Sequence, residues 1–74
     1  MKVKFEFFNR GQDLPFCFPL PLDVMSRQEA KDIAESSANM RFMSAFRVTV
    51  QDVSSNWRAT WDRDSSSWSE TENA

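Results

Sequence analysis

Phe16-Cys17-Phe18-Pro19-Leu20-Pro21-Leu22 alternates large apolar side chains with Cys17, Pro19 and Pro21, the period of a strand with one buried face. Pro19 and Pro21 share a parity, so the N–H groups they lack all fall on one side of that strand. A strand cannot pair where alternate donors are missing, and this places it at the edge of its sheet. On the N-terminal side, Lys2 to Phe8 reads as a first strand, with Val3, Phe5 and Phe7 inward and Lys2, Lys4, Glu6 and Phe8 outward. Asn9-Arg10-Gly11-Gln12-Asp13 holds the single glycine of the chain and joins the two strands as a hairpin.

On the C-terminal side, Ser26 and Glu29 have capping-box spacing, with Met25 and Ala30 placed as a hydrophobic staple. The helix they open is predicted to run from Arg27 to Asn39, with Ala30, Ile33, Ala34, Ser37 and Ala38 on its buried face. These residues are small, so the helix approaches the sheet closely and the sheet supplies the bulk. The stretch from Phe42 to Val50 contains a third strand with Phe46, Val48 and Val50 inward and Arg47, Thr49 and Gln51 outward. Asp52 to Asn56 is turn-like, and Asn56 to Asp62 reads as a fourth strand with Trp57, Ala59 and Trp61 on one face. Apolar periodicity ends at Trp61. The expected division is one α+β domain over residues 1–63 and a disordered, acidic, serine-rich tail over 64–74.

The resulting class is a two-layer ββαββ fold, one helix on a four-stranded sheet. A right-handed crossover through the helix leaves two strand orders open. Order 2-1-3-4 is antiparallel throughout and is preferred because it needs no parallel pair. Order 2-1-4-3 would be β-grasp-like.

Composition narrows the functional classes. The chain has 74 residues, one cysteine, no histidine and a formal charge of -2. A single thiol makes neither an internal disulfide nor a zinc site. Without histidine, the commonest general base and metal ligand are missing. Asp62, Asp64, Glu70 and Glu72 lack the loop spacing and turn glycine of a calcium site. Asp32, Glu35 and Lys31 read as ordinary surface charges of a helix, with Lys31 set to pair Glu35 at i, i+4. No enzyme activity, cofactor or metal is expected. The charged start Met1-Lys2-Val3-Lys4 and the lack of a long apolar run point to a cytoplasmic protein with no membrane partner.

Lys2, Lys4, Arg47 and Arg58 all fall on the sheet face away from the helix, with Thr49, Gln51 and Thr60 between them. One helix covers one face, so this basic face is open and is the candidate partner surface. Glu6 and Asp62 lie on the same face and could equally make it an ordinary balanced surface. Trp57 and Trp61 are assigned to the core. Trp68, in a serine-rich setting, either folds back on the domain or anchors a linear motif in a partner's pocket. In size and element order, residues 2–62 resemble small phage-encoded proteins that inhibit a host enzyme such as RNA polymerase or a nuclease. That resemblance implies a larger protein as partner; the chain itself is expected to be a monomer or weak dimer. The alternatives are a small RNA- or single-stranded-DNA-binding protein using the same face, and an accessory subunit of an oligomer.

Overall fold

The structure is a computed structural model describing residues 1–41 and 43–72. Phe42, the start of the predicted third-strand region, and Asn73 and Ala74 of the predicted tail lie outside the described residues. The elements are β1 (Lys2–Phe8), β2 (Leu22–Asp23), α1 (Arg27–Ala38), β3 (Arg47–Asp52), β4 (Trp57–Asp62) and β5 (Ser67–Glu72). They form an antiparallel five-stranded sheet in the order β2-β1-β3-β4-β5, with α1 across one face. The 2-1-3-4 order is therefore present, extended by a strand, and the β-grasp-like order is not.

The core sits between α1 and the sheet. Val3, Phe5 and Phe7 of β1, Val48 and Val50 of β3, and Trp57, Ala59 and Trp61 of β4 are all buried against it. Ala30, Ala34 and Ala38 of α1 are completely buried, with Ile33 packed partly beside them. Ser26 caps the helix as expected, its Oγ accepting the Glu29 N–H at 3.1 Å. The staple is different. Met25 is exposed while Val24 is buried, because Val24 is tied to the chain start by two 2.8 Å hydrogen bonds with Met1.

The proline-bearing segment is at the edge, but most of it is not a strand and its facing is inverted over Phe16–Phe18, whereas Leu22 lies opposite inward Val3. Phe7 N–H donates to Cys17 C=O and Phe16 N–H to Phe7 C=O, both at 2.9 Å. This bridge puts Cys17 opposite inward-facing Phe7, so Phe16 and Phe18 turn away from the core. Pairing resumes only at Leu22–Asp23, beyond the two prolines that cannot donate. Phe16, Phe18, Leu20 and Leu22, expected inward, are all exposed.

The second correction concerns residues 64–72. They form a turn and β5, which runs antiparallel to β4 and pairs Trp61 with Trp68. Strand alternation directs Trp68, Glu70 and Glu72 toward α1, and the helix answers each in turn. Arg27 donates to Glu72 (3.0 Å through Nη1), Lys31 to Glu70 (2.8 Å), and Trp68 Nε1 to Glu35 (3.1 Å). Four helical residues rise about 6 Å, and two strand residues about 6.7 Å. Residues 27, 31 and 35 thus stay in step with 72, 70 and 68. The predicted Lys31–Glu35 pair gives way to these contacts between layers.

Candidate functional site: the uncovered sheet face

The face away from α1 carries the outward residues of five strands. Lys4 (β1), Arg47 (β3) and Arg58 (β4) lie on it across adjacent strands, around the cross-strand pairs Glu6–Thr49 and Thr49–Thr60. Lys2 lies at one end, in register with Asp23. Trp68 does not join them. It is half-buried on the opposite face, its indole engaged by Glu35.

A shallow hollow of about 500 Å³ occupies the middle of the face, lined by Glu6, Phe8, Arg47, Thr49, Arg58 and Thr60. Phe8, outward by alternation, is nevertheless buried, because the Arg47 guanidinium lies 4.3 Å from its ring centroid. This contact holds Arg47 across the face rather than extended into solvent. Leu14 and Pro15 of the β1–β2 connection close one end of the hollow.

Of the acidic groups beside this face, Asp13 lines the hollow and Asp23 is in register with Lys2, while Asp62 and Glu6 have local partners. Asp62, in register with Arg47, accepts the Ser65 N–H at 2.9 Å and the Ser65 hydroxyl at 3.0 Å. Glu6 accepts a long 3.4 Å bond from Thr49 Oγ1. Among the described residues, Lys4, Arg47 and Arg58 take part in no ion pair; the pairs formed are Arg10–Asp64, Arg27–Glu72 and Lys31–Glu70.

The acidic residues of the last strand pair are structural. Asp64 pairs with Arg10, which also lies 4.1 Å over the Phe46 ring. Glu70 holds Lys31 and the Trp57 indole N–H at 2.9 Å. Hydrogen bonds from Lys31 and Trp57 keep the Glu70 carboxyl below its ordinary pKa, and the Arg10 guanidinium does the same for Asp64. Asp52 is also lowered, chiefly by the Ser54 N–H, which it accepts in the β3–β4 turn. No group of three or more His, Cys, Asp or Glu side chains among the described residues could hold a metal ion. No helix among them is long and apolar enough to cross a membrane.

Two features escaped sequence reasoning. Alternation places Phe8 outward, but nothing in the sequence marks it as the platform for Arg47, whose position opposite it depends on strand register. The exposed apolar side chains of Phe16–Leu22 read in the sequence as a buried strand face, since alternation reveals a two-sided segment without saying which side is inside. Compared with protein-family models, curated proteins and solved structures, the chain matches none.

Proposed function

We propose that the chain is a non-enzymatic protein-interaction module that occupies a surface on a larger protein through the uncovered sheet face. The observation carrying this reading is that Lys4, Arg47 and Arg58 share the face without ion-pair partners among the described residues. Cations left uncompensated beside a shallow hollow favour a partner surface rich in carboxylates, where complementary charge speeds encounter and sets register. Base stacking has less support, because Phe8, the ring among these cations, is buried beneath Arg47, and the exposed Phe18 lines the neighbouring hollow beside Lys4 rather than the central one.

The test is capture from a lysate of the native cell by the parent and by Arg47→Glu/Arg58→Glu. Arg58 is exposed, and its reversal is expected to leave stability within about 0.5 kcal/mol. Loss of the Arg47–Phe8 contact is expected to cost about 1 kcal/mol, which leaves the domain folded. The parent is expected to retain a protein that survives nuclease treatment and the double variant to lose it. Parental capture by the folded double variant contradicts the reading. Capture that disappears with nuclease transfers the face to nucleic acid.

A further inference from the structure

The two edges of the sheet are finished in opposite ways. β5 closes one edge with Ser67, Ser69 and Thr71 on one face and, on the other, Glu70 and Glu72 paired to α1, a polar finish that discourages association. The β1 edge is flanked by residues 14–22, where Leu14, Phe18 and Leu20 are 81%, 70% and 88% exposed, with Phe16 and Leu22 at 42% each. At about 200 Å² per side chain these five present roughly 600 Å² of apolar ridge, the upper limit of what a monomer ordinarily leaves uncovered. That is most of the ~800 Å² that each partner gives to a stable interface.

The ridge stands between two hollows. One of about 300 Å³ lies toward the uncovered face and is lined by Lys4, Glu6, Phe18 and Leu20 among others. The other, about 320 Å³, lies toward α1 and includes Phe5, Phe7, Leu20, Ile33 and Met43. Projecting Leu20 therefore sits beside cavities with room for an apolar side chain. A knob next to a hole on one surface is what a two-fold contact requires, because each copy offers its knob to the other's hole. Charge agrees with that symmetry. Lys4 and Glu6 flank Phe5 on the same face of β1, so a two-fold axis beside Phe5 sets Lys4 against Glu6 of the partner subunit, and the reverse. Backbone pairing lapses between the Phe7–Cys17 bridge and the Val3–Leu22 pair, where the prolines cannot donate. The contact is consequently made by side chains rather than by an added strand.

We infer that this ridge is a homodimer interface: a second copy of the chain covers Leu14–Leu22, its Leu20 seated in the hollow beside Phe5. The inference shares Lys4 with the proposed partner face but does not rest on Arg47 or Arg58, and it is read on purified protein with no other partner present.

Sedimentation equilibrium of the full chain up to ~100 μM tests it, a range that detects modest affinities. A reversible monomer–dimer equilibrium is expected. Leu20→Asp and, independently, Phe18→Asp are expected to weaken association about 30-fold, as for loss of a central apolar anchor, with unchanged circular dichroism because both side chains are exposed. Lys4→Glu and Glu6→Lys are each expected to weaken the dimer, and the exchanged pair Lys4→Glu/Glu6→Lys to restore it. A chain monomeric throughout that range, or a dimer indifferent to folded Leu20→Asp and Phe18→Asp, overturns the inference. An exchanged pair as weak as the single variants overturns the two-fold arrangement.

Discussion

Arg63 shows what a single side chain holds in this domain. From the β4–β5 turn its guanidinium donates to Ala38 C=O at 3.0 Å and to Ala45 C=O at 2.8 Å, while Nη1 reaches Asn39 Oδ1 at 2.9 Å. It thereby satisfies a carbonyl at the C-terminus of α1 and places positive charge at the negative end of the helix. No basic residue of α1 itself lies in the last turn. Arg63→Ala is expected to lower stability by about 2 kcal/mol, the range for hydrogen bonds to a charged group, measured by chemical denaturation. Arg63→Lys is expected to recover only part, since an ammonium cannot fan its donors across these acceptors. Val3, Phe5, Phe7 and the alanine stripe of α1 were legible in the sequence because each follows the period of its own element. Arg63 was not, because its acceptors are distant in the chain and come together only after the layers pack.

At the scale of elements, α1 is bound to the sheet in two different ways along its width. Its alanine stripe lies close against β1 and β3, and Ala34 is fully buried. Ala34→Leu is expected to destabilise by about 1–3 kcal/mol through overpacking, read as a lower denaturation midpoint. The other side of α1 meets β5 through Arg27–Glu72, Lys31–Glu70 and Glu35–Trp68. Asp52, Asp64 and Glu70 all have pKa values lowered in the folded state. A carboxylate depressed on folding contributes stability that is present above its unfolded pKa and lost as pH falls through the folded value. Stability is therefore expected to be level near neutrality and to fall below about pH 4, the ordinary carboxylate range. Glu70→Gln is expected to lower the neutral plateau and make that fall shallower, as followed by melts across pH. The β5 strand was illegible in the sequence for the same physical reason. It is held by a main-chain ladder and by charges answering from a distant helix, and neither leaves an apolar period in Ser67–Glu72.

Across the whole molecule, the two sides of the sheet are distinct. One side is filled by α1, the tryptophans and the ion pairs that bind β5. The opposite side is left uncovered, with Lys4, Arg47 and Arg58 across it. The basic parity of that side was readable from alternation, as was the edge position of the proline segment. The local engagement of Asp62 and Glu6, with no ion pair at these cations among the described residues, was not. The account depends on β5 being part of the folded sheet, because without it the polar flank of α1 and the Trp57 and Trp68 indoles lose their partners. Arg63 N–H bonds Phe46 C=O on the β3 side, so by alternation Arg58, Thr60 and Asp62 bond toward β5. Their partners in register are Thr71, Ser69 and Ser67. The most direct measurement is native-state hydrogen exchange resolved by residue over Ser67–Glu72. Slow amides are expected at Ser69 and Thr71, which face β4, alternating with fast amides at Trp68 and Glu70, which face the open edge. Uniformly fast exchange across Ser67–Glu72, with β1, β3 and β4 still protected, would contradict a folded β5.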